Sequence, residues 1–146
     1  LRDSGVTSAV VDFGGSILTI GDNNGERWNI TITADETNSP VGTLKVNEGY
    51  IATSNGAKRF VEYDGVKYHH IIDPETAYPA DSGVKSCTVY SGSGLISDAL
   101  STAFFVMGAD KAKEFYDKYD IAEYVITLTD GTVIVSDGIS ADFTAS

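Results

Sequence analysis

The side chains best suited to chemistry fall in four short stretches. Positions 68–80 read Tyr-His-His-Ile-Ile-Asp-Pro-Glu-Thr-Ala-Tyr-Pro-Ala, which gathers His69, His70, Asp73 and Thr76. Adjacent residues of a strand point to opposite faces, so only one of the two histidines can face a given site. A packing or surface role is the commoner fate of a lone histidine, and Asp73 and Thr76 would equally suit a turn that bonds its own backbone. Asp98 and Thr102 stand at i and i+4 in a helical pattern, so both project from one side. A carboxylate and a hydroxyl so placed offer two hard oxygens suited to Mg²⁺. The same pair also reads as a first-turn aspartate near the positive helix end and an ordinary threonine. Asp12-Phe13-Gly14-Gly15-Ser16 ends a strand with paired glycines, which allow either close backbone approach to a ligand or a bulge. Ala52-Thr53-Ser54-Asn55-Gly56 ends another strand with hydroxyls and a turn.

These stretches need a frame. Residues 6–13 form a strand-like run into the glycines. Residues 16–21 and 27–33 alternate around Asp22-Asn23-Asn24-Gly25, a hairpin signal. Trp28, Ile30 and Ile32 share one face of the second run. Residues 34–40 are a polar connector. Residues 41–46 and 50–53 flank Asn47-Glu48-Gly49, a second hairpin signal. Residues 59–63 and 66–72 flank Asp64-Gly65, a third, and its second strand delivers the histidines. Pro74 ends that strand, since its ring removes a ladder donor and keeps Asp73 extended. Residues 84–90 make a further strand.

Helix enters as a pair. Ser93 stands at the N-cap of 94–107, where Ile96, Ala99, Leu100, Ala103, Phe104 and Met107 recur at helical spacing before Gly108. Residues 110–118 form the second, with Asp110 early and Lys113 and Lys118 late. A fourth hairpin, 124–128 with 132–135, turns at Asp130-Gly131, and 138–146 is a polar tail. The expected fold class is α+β, a mostly antiparallel sheet of hairpins covered on one face by the helical pair.

Composition narrows the partners. The 146 residues suit one domain, and a formal charge of −11 argues against nucleic acid and anionic membranes, both of which need clustered Lys and Arg. No apolar run reaches the ~18–20 residues of a membrane span. The single cysteine, Cys87, has no internal disulfide partner and sits in a strand pattern as a small core residue. Leu1-Arg2-Asp3-Ser4-Gly5 reads as the last turn of a helix, and no initiating methionine precedes it, so we expect residues 1–146 to be a portion of a longer chain.

In order, these segments resemble the C-terminal half of the ApbE-type FAD:protein FMN transferases. That family reads Asp-x-Gly-Gly-Asn, Trp-x-(Val/Ile)-x-Ile, Thr-Ser-Gly-Asp-Tyr, His-Ile-Ile-Asp-Pro-x-Thr-Gly-x-Pro and Asp-Ala-x-x-Thr-Ala-x-Phe. The matching segments here are 12–16, 28–32, 53–57, 70–79 and 98–105. The resemblance implies Mg²⁺-dependent transfer of FMN from FAD to a threonine or serine hydroxyl of an acceptor protein, with release of AMP. Some members instead hydrolyse FAD to FMN and AMP, and a flavin-binding module without catalysis is a third reading. By resemblance, His70 is the catalytic residue beside the reacting phosphate, and Asp98 and Thr102 are metal ligands. Gly14, Gly15, Ser54, His70, Ile71, Asp73 and Thr76 would contact the flavin nucleotide. The upstream half of the flavin site would lie outside residues 1–146, leaving this portion inactive alone. Export or lipid anchoring of the parent is also implied, hence an extracytoplasmic location. The sequence departs from the family at Ala77 (glycine), Ser16 (asparagine) and Asn55-Gly56-Ala57 (Gly-Asp-Tyr).

Overall fold

The computed structural model describes residues 1–35, 39–57 and 59–146. From the N-terminus run β1 (Ala9–Asp12), β2 (Ser16–Ile20), β3 (Trp28–Thr33), β4 (Pro40–Val46), β5 (Gly49–Asn55), β6 (Phe60–Tyr63), β7 (Val66–His69) and β8 (Val84–Ser91). Helices α1 (Gly94–Met107) and α2 (Ala109–Tyr119) follow, then β9 (Glu123–Leu128), β10 (Val133–Val135) and β11 (Phe143–Ala145). Short 3-10 turns lie at Arg2–Ser4 and Asp137–Asp142. Gly5 closes the first of these in the left-handed region, at φ 82°.

The main sheet has six strands in the order β1-β2-β5-β8-β9-β10, every adjacent pair antiparallel. A second sheet has the order β11-β4-β3, and β6 and β7 form a two-stranded sheet among the described residues. The α+β class is as expected, but the main sheet is covered on both faces. On one face Val84, Cys87, Val89, Tyr124 and Ile126 meet Phe104, Phe105 and Ala112 of the helices. On the other, Ile51 and Val125 meet Ile30, Ile32, Leu44 and Val46 of the second sheet. Side chains that alternate along β5 and β9 therefore serve two cores, as strand parity requires. Burying a Val, Leu or Ile side chain is worth about 1.5–3 kcal/mol, so both cores are needed to hold the central strands.

Two expected hairpins are not ladders. β2 and β3 carry strand patterns around Asp22–Gly25, yet β3 pairs with β4 and the turn keeps only an Asn23–Glu26 bridge. Likewise β4 and β5 flank Asn47-Glu48-Gly49 but enter different sheets. A tight turn fixes a local reversal; the apolar stripe of Trp28, Ile30 and Ile32 goes where it is buried, against the opposite layer. A hairpin not expected from the sequence is β1–β2, closed by Asp12-Phe13-Gly14-Gly15, and β1 is shorter than the expected 6–13 run. The Asp64-Gly65 and Asp130-Gly131 hairpins form as expected. The strand after Asp64-Gly65 stops at His69 rather than Ile72, because the chain turns to bridge Ile72 with Pro79 and Ile71 with Ala80. The tail is not a loose polar end: Ile139 is buried and β11 adds to β4. The 34–40 connector lies partly outside the described residues.

Candidate functional site

Helix α1 starts without help from its cap side chain. Ser93 occupies the N-cap with extended φ and ψ, but its hydroxyl makes no cap bond. Ser91 acts instead: its Oγ accepts from the Ser93 amide at 3.1 Å and lies 2.8 Å from Ser97 Oγ. Gly108 ends α1 at φ 85° and also opens α2, a corner that favours glycine.

The helix meets β5 through hydroxyls. Ser97 Oγ donates to the Tyr50 carbonyl at 3.0 Å. One turn on, Ser101 Oγ donates to the Asp98 carbonyl at 2.9 Å, and Ser54 Oγ lies 2.9 Å from both Ser101 Oγ and Thr102 Oγ1. The Asp98 carbonyl can only accept, and a chain consistent with that contact has Ser54 donating to Ser101 and Thr102 to Ser54, which leaves the Thr102 oxygen able to accept from the outer side. Asp98 and Thr102 are both exposed on that outer side of the helix.

Across from Thr102, residues 72–79 form a self-bonded turn. Asp73 Oδ1 accepts from the Glu75 amide at 2.9 Å, and Thr76 Oγ1 donates to Asp73 Oδ2 at 3.3 Å. The Asp73 amide donates to the Tyr78 carbonyl, and the Ala77 amide to the Asp73 carbonyl. Ala77 has φ 59°, the left-handed conformation, at the position where the family motif has glycine. Between this turn and the helices lies a cleft of about 580 Å³, bordered by Asp73, Glu75, Thr102, Met107 and Lys111. Lys111 brings a positive charge to a cleft whose other polar groups are Asp73, Glu75 and Thr102, set among apolar side chains such as Ile72, Val106 and Met107.

The histidines separate as strand parity requires. His69 turns inward, edge-on to Phe105 with ring centroids 5.5 Å apart. Its Nε2 donates to the Ala80 carbonyl at 3.1 Å, and its Nδ1 accepts from the Ile71 amide at 3.3 Å. Both nitrogens are used, so this ring is a packing element. A Cβ on Gly56 would come within 2.8 Å of it, which explains the glycine in the Asn55-Gly56-Ala57 loop. His70 is exposed, and its Nδ1 lies 3.1 Å from the Arg59 carbonyl. A carbonyl only accepts, so Nδ1 carries a hydrogen, and in the neutral ring Nε2 is then the nitrogen with the lone pair.

Ser54, Ser101 and Thr102 therefore converge, with Asp98 one turn before Thr102 on the exposed side of α1 and Asp73, bonded to Thr76, across the cleft. His70 borders a different cavity of 540 Å³, shared with Arg59, Val61 and Tyr68. Gly14 and Gly15 border a third opening of 450 Å³ between the two sheets. Asp12 Oδ1 accepts from the Gly14 amide at 2.7 Å, and the Gly15 carbonyl accepts from Thr53, the residue before Ser54. Ile71 has its side chain in the helix-side core. The sequence reading missed Ser101 and Lys111. Ser97 and Ser101 stand four apart on the helix face that also carries Phe104, a signal that the buried face includes hydroxyls.

Fold and site define a partly apolar cleft with carboxylates, a hydroxyl and a lysine on an α+β frame, and the wider likeness is specific. The sequence matches the ApbE family model over residues 1–126, so the chain belongs to the ApbE family. It is 34% identical over 143 residues to the FAD:protein FMN transferase of Treponema pallidum (strain Nichols), covering 90% of this chain and 40% of that protein. With the FAD:protein FMN transferase of Escherichia coli (strain K12) it shares 32% over 130 residues, covering 87% and 37%. The crystal structure of the ApbE protein from Thermotoga maritima superposes with a TM-score of 0.82 at 34% identity, covering 92% of this chain and 44% of that one. The chain thus spans less than half the length of each of these relatives.

Proposed function

We propose that these residues form the C-terminal part of a flavin transferase, which moves FMN from FAD to a threonine or serine hydroxyl of an acceptor protein and releases AMP. The observation that carries this reading is the exposed Asp98 and Thr102 one turn apart on α1, with Thr102 held by Ser54 at 2.9 Å, in a family whose relatives bear the name FAD:protein FMN transferase. In the reaction, the acceptor oxygen forms a bond to the riboflavin-side phosphorus while the pyrophosphate bridge breaks. The hydroxyl proton goes to His70 Nε2, and AMP leaves with the bridging electrons. Phosphoryl-type transfer depends on positioning and charge neutralisation more than on covalent chemistry.

The donor set fits Mg²⁺. Hydroxyl and carboxylate oxygens are hard ligands, and Asp98 and Thr102 stand four residues apart on the exposed side of α1. No group of three His, Cys, Asp or Glu side chains suited to a metal occurs among the described residues. Asp98 and Thr102 would therefore share the ion with water and phosphate oxygens, as Mg²⁺ commonly is shared. When bound, it would neutralise pyrophosphate charge that a protein of formal charge −11 otherwise repels. Within the cleft Lys111 adds a fixed cation, and the Asp73 turn holds the wall opposite α1.

The test is product analysis. The complete transferase with FAD, Mg²⁺ and a threonine-bearing acceptor is expected to give in-gel flavin fluorescence on the acceptor, with AMP in equal amount. Free FMN and AMP without labelled acceptor would indicate a pyrophosphatase, and unchanged FAD a binding module. Residues 1–146 alone are expected to label nothing.

A further inference from the structure

Cations are scarce in this chain, and most of those described are already engaged. The sequence has 10 Lys and Arg against 21 Asp and Glu. Arg2, Arg27, Lys85 and Lys113 hold Glu48, Asp142, Asp35 and Asp117 in turn. Lys67 and Lys118 lie over the rings of Phe60 and Tyr119, and Lys45 is close enough to Asp142 to help lower its pKa. Arg59 and Lys111 make no ion pair or ring contact among the described residues, and both border clefts. Lys111 belongs to the cleft of Asp73 and Thr102, whereas Arg59 shares the cavity of His70.

The placement of Arg59 is specific. The β6–β7 register pairs Phe60 with His69, and the His70 amide donates to the Arg59 carbonyl at 3.1 Å, which carries the ladder one step further. Arg59 and His70 therefore stand opposite each other, and such cross-strand neighbours share a face. Strand alternation adds Val61 and Tyr68 to that face, and all four line the same 540 Å³ cavity. Glu62, the carboxylate of β6, stands opposite Lys67 on the other face, and none of the cavity's lining residues is acidic. On its own face the guanidinium thus neutralises no protein charge, and an anion entering the cavity meets it beside His70.

A planar guanidinium presents paired N–H groups that match two oxygens of one phosphate. We propose that Arg59 is a catalytic residue that clasps the riboflavin-side phosphate of FAD during transfer, supplying positive charge where His70 takes the proton. The proposal rests on the transferase reading and adds a charge-stabilising group to it. The acceptor oxygen bonds to phosphorus while the bridging oxygen leaves on AMP with its electron pair, and charge is spread over the non-bridging oxygens. A fork aimed at those oxygens serves the transition state more than the bound substrate, so its loss falls on kcat.

The experiment follows AMP release and acceptor labelling by the complete transferase and its Arg59→Ala and Arg59→Lys variants, with Lys67→Ala, on the opposite face, as control. Arg59→Ala is expected to lower kcat about a hundredfold or more, with the KM for FAD and the melting temperature little changed. Arg59→Lys keeps the charge without the fork and falls between, and Lys67→Ala keeps its kcat. Added guanidinium ion, at concentrations below those that unfold the protein, should restore part of the Arg59→Ala rate and none of the His70→Ala rate. Four results overturn the proposal: an unchanged kcat, a raised KM for FAD or acceptor with kcat kept, a lowered melting temperature with kcat kept below the transition, or a kcat that neither lysine nor guanidinium restores. They assign Arg59 to solvent, to ground-state binding, to an ion pair with a segment outside residues 1–146, or to the backbone position alone. If the wild type releases AMP but labels no acceptor, the transferase reading fails, and the same kcat ratios read on hydrolysis decide the role of Arg59. If it leaves FAD unchanged, calorimetry with inorganic pyrophosphate decides. Binding by the wild type that is clearly weaker in Arg59→Ala supports the anion site; equal binding or none refutes it.

Discussion

Ser54 Oγ on β5 and Thr102 Oγ1 on α1 lie 2.9 Å apart, although 48 residues separate them in the chain. With Ser101 they form one chain of hydroxyl contacts between β5 and α1, which holds the Thr102 side chain in place at the helix surface. The i, i+4 partner Asp98 then completes the outward pair. This relationship gives the first prediction its ordering.

In the complete transferase, Asp98→Ala is expected to lower AMP release by roughly a thousandfold, the scale of a lost phosphoryl-transfer metal. Thr102→Val costs less, since the charge remains. Ser54→Ala should weaken the Mg²⁺ response while retaining most activity at saturating metal, because it removes the contact that holds the Thr102 side chain in place. Mg²⁺ titrations of AMP release, with circular dichroism for folding, separate these effects. An Asp98→Ala protein with the wild-type Mg²⁺ response would make the pair structural.

The two histidines should fail in different ways. His70→Ala is expected to abolish transfer and leave the melting temperature unchanged, since the ring is exposed and holds only the Arg59 carbonyl. His69→Ala removes an edge contact with Phe105 and leaves the Ala80 carbonyl and the Ile71 amide without a partner. A loss of about 2–3 kcal/mol follows, with activity largely kept below the melting transition. Thermal scans beside single-turnover assays test the split, and a reversed ranking would mean that His69 is the reacting histidine.

Ala77→Gly is expected to stabilise. Its φ of 59° costs a residue with a Cβ about 1–2 kcal/mol, partly offset by the greater chain entropy of glycine. The net gain of about 0.5–1 kcal/mol would raise the melting temperature by about 2–4 °C. A lowered melting temperature would show the turn unstrained.

Cys87 is fully buried in the helix-side core, and burial pushes its thiol pKa well up. In the native protein it should resist thiol reagents at neutral pH and react only as fast as the sheet opens. Rapid stoichiometric labelling without denaturant would contradict the β8 placement.

Acid should loosen the tail. Arg27 holds Asp142 by paired contacts of 2.5 and 2.6 Å, and this bond keeps the Asp142 carboxyl below its ordinary pKa. A lowered folded-state pKa means the contribution is present above the unfolded value and lost as pH falls through the folded one. Hydrogen exchange at β11 should therefore rise at acid pH before the main sheet opens, whereas Asp142→Asn should show the raised exchange already at neutral pH.

Much of this was legible in the chain itself. Asp64-Gly65 marks a true hairpin because both residues adopt positive φ, 50° and 75°, a geometry that also fits the twist of paired strands. Asp22–Gly25 and Asn47–Gly49 carry similar turn residues, yet their strands part into two layers. Turn chemistry is local, while layer assignment depends on where distant apolar faces find cover. The same limit applies at the site. Asp98 and Thr102 are paired by helical spacing, but Ser54 joins them through tertiary packing that no local pattern encodes. The tail was misread because Ile139 is a lone apolar residue among small polar ones.

The serines between α1 and β5 also govern spacing. Apolar contacts tolerate sliding, since any close packing serves them nearly as well, whereas a hydrogen bond weakens steeply with angle and distance. Ser97 on Tyr50 and Ser101 on Ser54 therefore work as two pegs, one turn apart, that lock the helix against both translation and roll. Substitutions elsewhere beneath α1, such as around Phe104 and Leu100, can change the volume of the core while the height of Asp98 above the strand stays the same.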